Sequence, residues 1–192
     1  MKKIILASGS PRRKALLEQA GLSFSVVVSN YKEVYDNDKT VDDNMRIIAA
    51  GKAWDVADRQ EKDCVVIGAD TIVCVGDEIL GKPKDAAHAI KMLKKLSGRE
   101  HFVYTGLAVI EKCSGICRTH VERTGVTFKR LDEGEITAYV ETGEPFDKAG
   151  AYAVQGKGAV FIKNISGDYN NVVGLPLYGL FCMLKRFNIK IM

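Results

Sequence analysis

Apolar and polar positions divide the chain into alternating strand and helix signals. The short apolar run Ile4 to Ala7 predicts a first strand over "KKIILAS". Ser10 and Pro11 then mark a helix start, an N-cap followed by the first helical residue, for a helix over 11–20 that Gly21 closes. "FSVVVS" reads as a second strand, and the polar "NYKEVYDNDKTVDDN" after it as a loop. Met45, Ile48, Ala49, Ala53 and Val56 recur at helical spacing and predict a helix over 42–59. "CVVIGADTIVCV" is apolar almost throughout, a buried strand region that "GDE" turns towards "ILGKP".

The second half continues the alternation. Ala86, Ala89, Ile90, Leu93 and Leu96 predict a helix over 85–97, and "HFVYTGLAVIEK" with "ICRTHVERTGVTFKRL" a long hairpin. A helix over 133–142 ends at Gly143, and the Gly-rich loop "EPFDKAGAYAVQGKG" leads to strand "AVFIKNI" and loop "SGDYNNVVG". A last helix starts at Pro176, with Leu177, Leu180, Phe181 and Leu184 on its inner face. With no repeats, low-complexity tracts or linkers, the order predicts an α/β fold with a mixed sheet in a single domain over 1–192.

Composition narrows the classes. Hydrophobic residues at 46% and charged residues at 27% are the balance of a soluble globular protein. The formal charge of +4 suits an anionic small molecule but is too weak, without a dense basic stripe, to argue for nucleic acid. No apolar run approaches the ~20 residues that cross a bilayer. "MKKIILASGS" reads as a strand rather than a signal peptide, because its apolar run is short and Arg12 follows closely. Cys64, Cys74, Cys113, Cys117 and Cys182 form no CxxC pair, which fits buried or incidental thiols in a reducing cytoplasm. Cys113 and Cys117 flank "SGI" and, with His120, give a weak metal signal whose spacing is wrong for zinc.

Four stretches carry candidate chemistry. In "ASGSPRRKALL" the cations Arg12, Arg13 and Lys14 crowd the positive end of a helix dipole, at ~0.3–1 kcal/mol each. An anion makes that arrangement favourable: the strand, small-residue turn and helix start offer backbone N–H groups, and two arginines offer planar forks suited to phosphate. A solvated basic turn is the bland alternative. "GDEILGKP" nearly spells a phosphate-binding P-loop, but Pro83 has neither the hydroxyl nor the N–H that such a loop needs. Lys82 on that turn is still placed to meet a phosphate as a point charge, an expectation from its position. Asp70 interrupts a run otherwise fit for a core strand, so its carboxylate needs a metal, a cation or backbone donors, unless it holds a turn. Glu33 and Lys52 are unremarkable when taken alone. In "TGEPFDKAGAYAVQG", Gln155 combines the donor and acceptor that reading a base edge requires.

Taken together, "SGSPRR" (8–13), Glu33, "IAAGKA" (48–53), "GADTIV" (68–73), "GKP" (81–83), "YTG" (104–106), "TGEPFDKAGAYAVQG" (142–156) and "GDYNNVVGLP" (167–176) resemble the Maf family of nucleoside triphosphate pyrophosphatases. The resemblance spans nearly the whole chain. It implies a mixed sheet in two lobes flanking a deep cleft, similar to inosine triphosphate pyrophosphatases. It also implies hydrolysis between the α and β phosphates, giving a nucleoside monophosphate and pyrophosphate, in a cytoplasmic house-cleaning role. By the same resemblance the catalytic aspartate falls on Asp70, and phosphate and metal handling on Ser8, Arg12, Arg13, Glu33, Lys52 and Lys82. Glu33 and Asp70 would hold a divalent cation, Mg²⁺ or Mn²⁺, or orient the attacking water. Base choice falls on Arg12, Thr71 and Gln155. The form "GEPxDKAGAY" ending in Gln looks like the branch acting on dTTP, UTP and modified uridine triphosphates. The sister branch that prefers 7-methylguanosine triphosphate and a non-enzymatic nucleotide-binding regulator of septum formation are the rival readings. Two departures stand out: Ala153 where glycine is common, which could tighten the base pocket, and "SNYKE" where an acid usually precedes the glutamate, which could alter metal affinity. The partner implied is a small nucleotide, with no nucleic acid and no membrane. The oligomeric state stays open, a homodimer among the options.

Overall fold

Ser10 begins the first helix as its sequence foretells: the hydroxyl accepts the Arg13 N–H at 3.4 Å, and Pro11 occupies the first helical position. At the far end Gly21 adopts φ 74°, while its N–H bonds Glu18 O at 3.0 Å and the Leu22 N–H bonds Leu17 O at 3.1 Å. That double closure needs a left-handed residue, hence glycine. In this computed structural model residues 2–189 are described, so the outermost positions of the expected 1–192 domain lie outside the described residues.

The elements in chain order are β1 (Lys3–Leu6), α1 (Pro11–Gln19), β2 (Ser25–Val26), α2 (Val41–Ala57), β3 (Cys64–Val75), β4 (Glu78–Leu80), α3 (Ala86–Leu96), β5 (Glu100–Glu111), β6 (Ile116–Phe128), α4 (Glu133–Glu141), β7 (Ile162–Ser166), α5 (Tyr169–Val173) and α6 (Leu177–Lys185). Short 3₁₀ turns occupy the stretch between α4 and β7. The strands form one seven-stranded sheet in the order β2-β1-β3-β5-β6-β7, with β4 paired to β3. It is mixed, because β1 runs parallel to β2 and β3, whereas β4 and β7 run antiparallel to β3 and β6. The fold is therefore α/β with a mixed sheet.

Two compact units divide the chain. Among the described residues the first comprises 2–70, 105–122 and 174–189; its core packs Ala49, Ala53, Val56 and Ala57 of α2 on Ile5, Val66, Ala108 and Ile110. The second comprises 71–104 and 123–173; its core gathers Leu93 and Leu96 of α3, Ile136 and Tyr139 of α4, and Phe128, Tyr152 and Phe161.

Four elements depart from the pattern reading. "FSVVVS" pairs only at Ser25–Val26, because the Ser29 hydroxyl and Asn30 N–H are drawn to the Asp55 carboxylate of α2, at 2.9 and 2.8 Å. "AVFIKNI" is strand only from Ile162, since Lys157–Phe161 coil into a 3₁₀ turn. "SGDYNNVVG" contains α5, started by Asp168, whose Oδ1 accepts the Asn170 N–H at 2.7 Å. On α6 the buried face is Gly179, Leu180, Met183 and Leu184; Leu177 and Phe181 are only half-buried.

Candidate functional site

The first unit assembles a charged cluster where α2 meets β3. Gly68 and Asp70 share one face of β3, two residues apart. A methyl group at Gly68 would lie 2.3 Å from Ala49 O and 2.8 Å from Ala53 Cβ, so only glycine lets α2 approach this closely. The same helix presses on β5, where a methyl at Gly106 would lie 2.2 Å from Met45 O. Lys52, between Ala49 and Ala53 on the helix, is thereby carried to Asp70. Its ammonium lies 2.6 Å from Asp70 Oδ1 and 2.5 Å from Glu33 Oε1. Asp70 is 6% exposed, and Tyr35 donates its hydroxyl to Asp70 Oδ2 at 3.1 Å. Among the partners that a carboxylate in an apolar strand demands, the cation and a hydroxyl are what the chain supplies.

Glu33 and Tyr35 ride on the polar loop between β2 and α2, which is tied along the helix at three points. Asp55 Oδ2 accepts from Ser29, Asn30 and Arg59. The Asn30 N–H, followed by the Ser29 hydroxyl, holds the Asp55 carboxyl below its ordinary pKa. The Tyr31 ring lies against Gly51, where a methyl group would come within 2.3 Å of it. Buried Asn44 then clasps the loop's end: its Nδ2 donates to Asp36 O at 2.9 Å and Thr40 O at 3.1 Å, and its Oδ1 accepts the Asp36 N–H at 2.9 Å. Tyr31, Tyr35, Asn44 and Asp55 escaped the sequence reading. A lone amide in the first turns of a helix that faces a polar loop was the available signal for Asn44.

Ser8, Arg12 and Arg13 gather at the start of α1. Arg13 turns inward and is 9% exposed. Its Nε donates to Gly174 O at 2.8 Å, and its Nη1 to Ser8 Oγ at 3.1 Å and Ala69 O at 3.0 Å. Burial lowers the Arg13 pKa, and neighbouring Asp70 works in the opposite direction. Ser8 Oγ also accepts the Ser10 N–H at 3.2 Å. Arg13 thus binds the strand–helix turn to the residue before Asp70, while Arg12 is half-buried at the turn.

The remaining expected residues belong to the second unit. Thr71 follows Asp70 on β3 and is half-buried; Lys82 is exposed beyond β4, next to the buried Pro83; Gln155 is exposed in the loop after α4. All five cysteines are free thiols. Among the described residues no three His, Cys, Asp or Glu side chains gather to hold a metal by themselves, so the weak Cys113/Cys117/His120 signal has no structural counterpart there. No described helix is long and apolar enough to cross a membrane.

A site of this composition, two carboxylates on a lysine beside an arginine-rich helix start, is suited to phosphate chemistry. A family profile described as Maf-like protein matches residues 3–187, and the chain belongs to the Maf family. It is 51% identical to the "dTTP/UTP pyrophosphatase" of Bacillus cereus (strain ATCC 10987 / NRS 248), covering 100% of this chain and 93% of the relative. With the protein of the same name from Bacillus cytotoxicus it shares 52% identity over 98% of this chain and 97% of that one. Among solved structures it is similar to the Staphylococcus aureus Ham1 protein, at 17% identity, TM-score 0.48, and coverage of 66% of this chain and 72% of that one.

Proposed function

We propose that this protein is a nucleoside triphosphate pyrophosphatase, a hydrolase acting on acid anhydrides that converts dTTP and UTP to the monophosphate and pyrophosphate. The observation that carries the proposal is the Lys52 ammonium bridging Glu33 and Asp70, at 2.5 and 2.6 Å. The name shared by full-length relatives at half identity or more supports the substrate class. It also favours this reading over 7-methylguanosine triphosphate and over a purely regulatory binder.

In this reading Asp70 orients the water that attacks the α-phosphorus and takes up its proton, while the α–β anhydride bond breaks and pyrophosphate leaves. The Tyr35 hydroxyl on Oδ2 and the Lys52 ammonium on Oδ1 fix the plane of that carboxylate. Arg12, Lys52 and Lys82 offset phosphate charge, and Ser8 and Arg13 set the turn that presents the α1 N-terminus to an anion. Glu33, half-open to solvent, and Asp70 are hard carboxylates that would hold a small divalent ion such as Mg²⁺ or Mn²⁺. Such an ion would neutralise charge on the phosphates. Gln155 reads the base through its amide, and Thr71 and Arg12 contribute to base choice. The free thiols fit a reducing cytoplasm.

The test is pyrophosphate release with each of the eight common ribo- and deoxyribonucleoside triphosphates. Preferential turnover of dTTP and UTP supports the assignment. Tight binding without turnover, or preference for a purine, contradicts it.

A further inference from the structure

Within the second unit, Gln155 sits on a very short free span. Upstream, Tyr152 is buried with its hydroxyl 2.9 Å from His101 Nε2, and the Ala153 N–H donates to the Tyr139 hydroxyl oxygen at 3.2 Å. Downstream, the Lys157 N–H donates to Glu144 Oε2 at 3.0 Å and the Gly158 N–H to Glu144 Oε1 at 3.1 Å. Tyr139 completes the circuit by donating its hydroxyl to Glu144 Oε1 at 2.8 Å. One tyrosine–glutamate pair therefore anchors both flanks, and only 154–156 lie between the anchors.

The carboxylate is set for this task. Glu144 Oε1 and Oε2 press so closely on Gly156 that a methyl group there would stand 2.6 Å from both. Burial works to raise the Glu144 pKa, but the N–H groups of Lys157 and Gly158, then Tyr139 and Lys148, outweigh it and hold the group below its ordinary range. An ionised acceptor with backbone donors on each oxygen fixes a loop far more firmly than neutral contacts do. The path between the anchors is also too short to wander, so the Gln155 Cα inherits the position of the latch.

We infer that Glu144 and Tyr139 are specificity-positioning residues: their latch holds the Gln155 amide in the one place from which it distinguishes uracil and thymine from purines. The inference rests on the proposed base-reading role of Gln155. A site that reads a base by paired hydrogen bonds discriminates strongly only while its groups are held still. Released, the amide still hydrogen-bonds, but to any base. Neither residue touches the reacting phosphates in this account, so the signature of the latch is selectivity rather than chemistry.

The experiment measures kcat/KM for UTP and for GTP in wild type, Gln155→Ala, Glu144→Ala, Glu144→Gln and Tyr139→Phe, with the melting temperature of each. The expected result is that Gln155→Ala and Glu144→Ala each lower the UTP:GTP ratio by ~10-fold or more, and that a Glu144→Ala/Gln155→Ala double variant, measured alongside, falls no further than Gln155→Ala alone. Glu144→Gln, which keeps an acceptor oxygen, recovers part of the ratio. A Glu144→Ala protein that melts lower yet keeps the wild-type ratio overturns the inference, while loss of the ratio in Gln155→Ala would leave the base-reading role standing. An unchanged ratio in Gln155→Ala overturns both, through the role of Gln155 itself. Should Glu144→Ala not fold, Tyr139→Phe removes a single hydroxyl from the latch and decides by the same ratio.

Discussion

Replacing Arg13 with alanine removes a cation from a helix N-terminus, which by the dipole alone would stabilise α1 by ~0.3–1 kcal/mol. The structure predicts the opposite sign. The guanidinium donates hydrogen bonds to Gly174 O, Ser8 Oγ and Ala69 O, at 2.8, 3.1 and 3.0 Å. Bonds from a charged donor contribute ~1.5–3 kcal/mol each, and truncation leaves acceptors such as Ala69 O in a residue with no exposure. The cost of burying the guanidinium, visible in its lowered pKa, offsets part of that total. The balance is a loss of about 3 kcal/mol, or a fall in Tm of roughly 6–12 °C for a chain of this size. Thermal unfolding followed by circular dichroism measures it. Arg13→Lys, which keeps the charge but not the fork, should fall between the two. A Tm for Arg13→Ala within about 2 °C of wild type would refute the argument that this arginine is a structural tie.

Other consequences follow from the same geometry. Gly51→Ala should displace the Tyr31 ring, and with it the loop bearing Glu33 and Tyr35, cutting kcat/KM well beyond its effect on Tm; equal activity would show that the loop is not set by this contact. Buried His101 has its pKa pushed down to about 4, so below pH ~6.5 the unfolded chain takes up a proton that the folded one refuses. Stability should be full above that pH and decline towards pH 4 by about 3 kcal/mol from this residue, and His101→Phe should flatten the decline in urea-melt midpoints. Exhaustive chelation should abolish turnover and Mg²⁺ or Mn²⁺ restore it; full activity in chelator would exclude the divalent-ion role of Glu33 and Asp70.

Much of this was legible in the chain because the signals are local. Ser10-Pro11 and Gly21 bracket α1 through capping chemistry that needs no tertiary information, and the apolar spacing from Met45 to Val56 faces the core as read. Asp70 was conspicuous since a carboxylate in a core strand requires a partner. The identity of that partner was not legible: Lys52 reaches it only because Gly68 and Gly106 let α2 lie close to the sheet. The sequence places Arg13 at an anion-facing helix start; that it also reaches Ala69 O and Gly174 O, 56 and 161 residues away, lies beyond any local pattern. The loop tethers of Asn44 and Asp55, and the Glu144 latch on Lys157 and Gly158 just ahead of the expected strand, are likewise side-chain to backbone bonds that close loops rather than follow an element's period.

The central claim is that the Asp70 carboxylate, held by Lys52 and Tyr35, carries out the hydrolysis. Single-turnover pyrophosphate release from UTP by Asp70→Asn, alongside its circular dichroism spectrum, tests it most directly. The expected result is a wild-type spectrum with the rate reduced by at least ~10²–10⁴. A folded Asp70→Asn protein retaining half the wild-type rate would contradict it.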